Sequence, residues 1–475
     1  MKGDFTRKTF DSRNHYSRVL MQQGRVTVDA DPNEQTEILL HYLRTLAADL
    51  IGPYAAPAIG GGFQLGADSS GKLTVSGGRY YVDGILVENE GLCLYSAQPY
   101  YPAPADDVLL KEMTNPTGTT YWAYLDVWER HLMYLDDDSM REVALGGPDT
   151  CSRSQVVWQV KALGIAEPAA GRSSPCTGPL SGLMPIGSGR LSARVDPGYQ
   201  RSDPCVLSPE ARYRGTENHL YRVEVHQGGK AGKATFKWSR ENGSVAAAWL
   251  GAEGHDLRVS SGRGFTAPCW VELTSEADDL LGQPGVLVQL AKVEGATLSA
   301  DPAAVLPTWS ESLVDPKVRR WDQKQLGDIL LTAGAVPVKE STATEAAWLD
   351  LEDGIQIQFW PGGQYVTGDY WLIPARVATG GIEWPAQNGQ AQFVPADGIE
   401  HHYAPLGFVK WENKQLRLKT CRCEFDPLSN CFASIGSLAV GAELLRKRSD
   451  PAFDAPLNPV TGSLTPVKRV ARRKP

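Results

Sequence analysis

The apolar positions of this chain change their period after residue 53. Before it, Ile38, Leu39, Tyr42, Leu43, Leu46 and Leu50 recur at helical spacing on one face. Asp31 stands in position to cap, Pro32 fits the first helical residue, Glu34 follows three residues after the cap, and Gly52-Pro53 forbids continuation. This predicts a helix from Pro32 to about Leu50, with a shorter helical turn over His15 to Met21 and a tight connection at Gly24-Arg25-Val26. Such a stripe packs either on its own domain or on a partner; a helical stripe ordinarily faces its own core.

After Pro53 the texture is one of short β-branched and aromatic runs broken by Gly, Pro, Asn and Asp, the pattern of strands and turns. Tyr81-Val82 and Ile85-Leu86-Val87 flank Asp83-Gly84, the pair that suits a two-residue hairpin. TYWAYLDVWERHLMYL, QVVWQVKAL, HLYRVEVH, KATFKWSR, CWVELT, GVLVQLAKV, GIQIQFW and DYWLIPARV continue the series. The fold class expected is therefore mainly β and multidomain, with antiparallel sandwich or barrel-like units behind a short helical N-terminal segment. The boundaries expected are an arm and helix over 1–54, a first β domain over 55–165, an irregular connection over 166–215, a second β region over 216–420, and a cysteine-bearing extension with a basic tail over 421–475.

Composition narrows the function classes. The 475 residues carry 47 basic and 55 acidic side chains and are 42% hydrophobic, so a packed core is expected and a nucleic-acid-binding body is not. Glycine and proline number 48 and 32, which fits frequent turns. No apolar stretch is long enough to span a bilayer, and the charged start MKGDFTRKTF does not read as a signal peptide, so assembly in the cytoplasm is expected. Eight cysteines are too few for a disulfide scaffold.

Candidate chemistry is sparse. The chain has no GxSxG, GxxxxGKS or HExxH motif. GGGFQLG near Gly60 lacks a following helix and reads as a flexible turn. His401 and His402 are adjacent, so on a strand they face opposite ways and only one serves a metal. Cys421, Cys423 and Cys431 supply three soft ligands without an evident fourth; loose thiols or a local disulfide are the other readings. Cys176 and Cys205 lie close enough in sequence for a clip, and two free thiols are the alternative. Asp278-Asp279 and Asp136-Asp137-Asp138 are carboxylate runs of the kind glycoside hydrolysis needs in opposed pairs, but they read as turn residues. YWAYLDVWERH, TFKWSRENGS, VRRWD and GDYWLIPAR combine Trp and Tyr with charge, which suits a protein or sugar contact surface as well as a β core. No catalytic residue, cofactor or metal is expected.

The opening MKGDFTRKTFDSRNHYSRVLMQQGRVTVDADPNEQTEILLHYLRTLAADLIGP, with YLDVWERH, REVALGGPDT, YRGTENHLYRVEVH, ATFKWSRENGSV, VRRWD, GDYWLIPAR and GIEHHYAPLG, resembles an uncharacterised domain family encoded alongside phage-tail-like contractile injection systems. Pro32 stands where that pattern has an aromatic residue, and the end after residue 420 is less familiar. The resemblance covers nearly all of residues 1–420 and implies a noncatalytic structural part of a tail-like particle, at the baseplate periphery or in a fibre. The partners it implies are other particle subunits and further copies of the chain, with docking through the N-terminal segment. The alternative is a carbohydrate-binding or carbohydrate-cleaving component that recognises a surface glycan.

Overall fold

The computed structural model describes residues 1–165, 187–198, 212–342, 346–412 and 415–426, together with Cys176, Leu180 and Leu183. Met1–Phe425 form one compact unit. The expected mainly β class holds. All eight strand-like runs are strands, and the Asp83-Gly84 hairpin forms as read: Gly78–Val82 pairs with Ile85–Asn89, with both turn residues at positive φ.

Three apolar cores organise the unit. One lies between two sheets and also takes Leu73 and Val75 from a third, small sheet. The first pairs Tyr54–Pro57 with Gly78–Val82 and with Glu424–Phe425. The second runs in the order Gln415–Thr420, His402–Glu412, Thr120–Leu132, Arg153–Ile165. Alternation along Thr120–Leu132 sends Tyr121, Ala123, Leu125 and Val127 into this core, beside Trp158, Val82 and Val87. A second core lies around His219–Gln227, Thr235–Ser239, Tyr370–Arg376 and Ile355–Phe359. The last of these pairs with Arg190–Val195, a strand inside the stretch expected to be irregular. The third core fills a closed six-stranded barrel made by Ala246–Glu253, Asp256–Val259, Thr297–Ala300, Val286–Glu294, Cys269–Thr274 and Lys317–Trp321.

Helix α1 spans Ala30–Ile51, two residues earlier than the sequence suggests. Asp29, not Asp31, flanks it, and the Asp29 carboxylate accepts from the Thr6 N–H at 2.9 Å and from the Thr6 hydroxyl at 2.5 Å rather than capping the helix. Pro32 still sits in the first turn, where no intrahelical donor is required. Gly52 ends α1 with φ +92. The short helical turn falls at Ser12–Asn14, and His15 to Met21 are not helical. Gly60 to Gly62 do not form a loose turn: a Cβ on Gly62 would meet the Gly78 carbonyl carbon at 2.5 Å, so glycine there permits a close backbone crossing.

Candidate docking surface

The residues of the distinctive motifs converge on a buried ionic cluster. On neighbouring strands, alternation aims Arg222, Glu224 and Lys237 to the face away from the second core, and the barrel adds Glu272 and Trp321. Glu224 accepts from Arg222 Nε at 2.5 Å and pairs with Lys2 at 3.1 Å and Lys237 at 3.3 Å. Lys237 also donates to Glu272 and lies 4.5 Å from the Trp321 ring centroid, while the Trp321 indole donates to Glu272 at 2.9 Å. Burial alone would raise both acids, but Lys2, Arg222 and Lys237 outweigh it for Glu224 and hold it well below the usual range. Lys237 and Lys2 do the same for Glu272, down to about 2. Burial, reinforced by Lys237, pushes His226 down to about 4, so it is neutral. The N-terminal strap closes the cluster: Asn242 Nδ2 donates to the Gly3 carbonyl at 2.9 Å, and Arg222 Nη1 to the Met1 carbonyl at 3.1 Å. Charges so paired lock the strap, a sheet and the barrel together.

The candidate acids resolve in the same way. Asp136 and Asp279, one from each carboxylate run, both bind the Lys317 ammonium, Asp279 at 3.1 Å; Arg130 donates to Glu276 at 2.7 Å beside them. Asp278 accepts from the Ser275 N–H at 2.7 Å in a capping box, Asp137 accepts from Ser139 N–H at 2.9 Å, and Asp138 pairs with Arg141 at 2.6 Å. His401, just before the strand His402–Glu412, and His402, its first residue, take separate partners: Asp126 at 2.7 Å, which also accepts from Lys161, and Asp83 at 2.9 Å. Among the described residues no group of three His, Cys, Asp or Glu side chains could hold a metal.

The cysteine clip is corrected. Cys176 is bonded to Cys421, 245 residues away, and Cys205 and Cys431 lie outside the described residues. Packing explains the partner: Cys176, Leu180 and Leu183 sit over Trp122, Tyr124, Phe408 and Cys421, and the Trp122 indole donates to the Cys176 carbonyl at 2.9 Å. Cys423 is free and exposed. Trp122, Trp128, Trp238, Trp321 and Trp371 are all buried, so the aromatic-rich strands fill cores rather than form a contact surface.

The exposed apolar surface lies instead on α1 and the arm before it. Only Ala30 and Ile38 of α1 are buried. Its inward face is held by polar contacts: Arg44 makes a bidentate pair with Glu129 at 2.9 and 3.0 Å, Glu34 accepts from Thr9 at 2.7 Å, and Gln35 accepts from Val19 N–H at 2.8 Å. The outward face carries Leu39, Tyr42, Leu43, Leu46 and Leu50, each between 52% and 61% exposed. Tyr16, Leu20, Met21, Val26 and Val28 of the arm are exposed as well. The expectation that this stripe faces its own core is thus overturned for five of its six positions, Ile38 alone being buried. Sequence periodicity located the stripe and missed its direction, because an apolar face looks the same whichever body covers it.

A family model described as "Family of unknown function (DUF6519)" matches residues 1–173, 186–250 and 254–471. The chain belongs to this family. The DUF6519 match takes in the strap, α1 and the strands of the three cores apart from the last three residues of Ala246–Glu253, and it carries no assigned activity. No curated protein and no solved structure matches the chain. No helix among the described residues is long and apolar enough to cross a membrane.

Proposed function

We propose that this chain is a noncatalytic assembly component, a rigid β body that joins a larger particle through residues 1–52. The observation that carries the reading is the apolar face of α1 turned to solvent. Five large apolar side chains on one helix face, with five more exposed along the arm, are the kind of surface that marks a protein interface. The charged clusters support the noncatalytic half of the reading, since their acids and bases neutralise one another in buried pairs that bind elements together. The motifs' resemblance to a family encoded with tail-like injection systems supports a particle of that type, at the baseplate periphery or in a fibre.

The test is replacement of Leu39, Leu43 and Leu46 by Asp in cells that make the particle. The variant is expected to fold and to be lost from the high-mass fraction. Normal incorporation of the variant contradicts the reading.

A further inference from the structure

The structure assigns the outward face of α1 a partner, the same face of a second copy of this chain. This inference rests on the assembly reading and specifies what the helix binds first. Leu39, Leu43, Leu46 and Leu50 are spaced by four, three and four residues, the alternation that places side chains in one seam between two helices. The seam is uncharged. Between Leu39 and Leu50 the positions on or beside it are Leu40, Tyr42, Ala47 and the leucines themselves; Arg44 is turned inward to Glu129, and Asp49 stands at the margin. A face without ionised groups meets its own copy with no like-charge cost, as a two-fold interface requires when one patch must complement itself.

Charge favours a second copy over an unrelated protein. Residues 1–28 hold six basic and two acidic side chains, and the rest of the chain holds 41 basic against 53 acidic. Arg18 and Arg25 of that arm are exposed, and an acidic body suited to them exists on every other copy. The exposed parts of Leu39, Tyr42, Leu43, Leu46 and Leu50 amount to on the order of 500 Å² per copy, about twice that across a pair, which reaches the lower edge of a specific interface. Pairing through α1 leaves the three cores untouched, so each body remains rigid while the helices join.

Light scattering on the full chain at on the order of tens of micromolar tests this, with Leu43→Asp/Leu46→Asp as the variant and Val305→Asp, exposed elsewhere, as the control. The expected result is a two-chain mass for the wild type and the control, and a one-chain mass for the double variant with an unchanged far-ultraviolet spectrum. Should the double variant unfold, Leu43→Ser is measured instead and is expected to weaken pairing at least tenfold. A one-chain wild type, or a variant that keeps the wild-type mass, overturns the inference. A wild type that is single in isolation yet loses its place in the particle on the same substitutions sinks the second-copy inference and leaves the assembly reading standing. Substitutions without effect on either mass or incorporation sink both.

Discussion

Ile38 and Leu39 are neighbours in α1 and opposites in environment, 1% and 52% exposed. Removing each apolar side chain should therefore have different consequences. Ile38→Ala is expected to destabilise the fold by about 2–4 kcal/mol, the range for opening a hole in a packed site. Leu46→Ala is expected to change the stability of the separated chain by less than about 0.5 kcal/mol, as at other exposed positions. Urea midpoints measured on dilute protein distinguish the two.

The buried cluster predicts a similar contrast among charges. Glu272 accepts from the ammonium of Lys237, the Trp321 indole and the Gly285 N–H, so Glu272→Ala strands several donors and is expected to cost about 3–5 kcal/mol. Lys292 and Glu294 pair at 2.6 Å with both side chains in solvent, and Lys292→Ala is expected to cost under about 0.5 kcal/mol. Denaturant titration of the two variants measures the difference.

Asp369 gives a pH signature. Burial pushes its carboxyl up to about 6, above the ordinary 3.8, so its contribution to stability is complete below about pH 3.8 and is lost as pH rises through about 6. Asp369→Asn is expected to raise stability at pH 7.5 by about 1 kcal/mol, allowing for its partial exposure, and to leave it unchanged near pH 4. His226 works in the other direction. Held down to about 4 against an ordinary 6.5, it stabilises above about pH 6.5, and that contribution is lost as pH falls through about 4. Urea midpoints of wild type and Asp369→Asn across this range check both slopes.

The Cys176–Cys421 bond closes a loop of 245 residues, for which the chain-entropy model gives about 5 kcal/mol of stabilisation. Peptide mapping after alkylation without reduction is expected to recover a Cys176–Cys421 peptide and free Cys151 and Cys423. Cys421→Ser is expected to lower the urea midpoint to that of reduced wild type. A Cys176–Cys205 peptide would contradict the pairing.

What the sequence made legible was local. Asp83-Gly84 announced its hairpin because a two-residue turn is decided by the residues in it, and Gly84 has a further duty that only the fold reveals: a Cβ there would stand 2.0 Å from the Arg44 carbonyl of α1. Barrel closure was not legible, since it depends on Ala246–Glu253 meeting Lys317–Trp321 across some seventy residues. The cluster around Glu224 and Glu272 was hidden for the same reason, although a signal existed. Arg222, Glu224 and Lys237 alternate with Tyr221, Val223, Val225, Phe236 and Trp238 in strands that are buried on both faces. Charge at every second position of such a strand must be paired inside the protein, and that pattern names the residues without naming their partners.

Sedimentation of the tagged chain from lysates of its native cells, comparing wild type with Leu39→Asp/Leu43→Asp/Leu46→Asp, tests the proposed docking role of α1 most directly. The wild type is expected to travel in a high-mass fraction at fixed stoichiometry, while the variant, still folded, remains in the light fraction. Equal distribution of the two chains, or a wild type found only in the light fraction, would contradict that role.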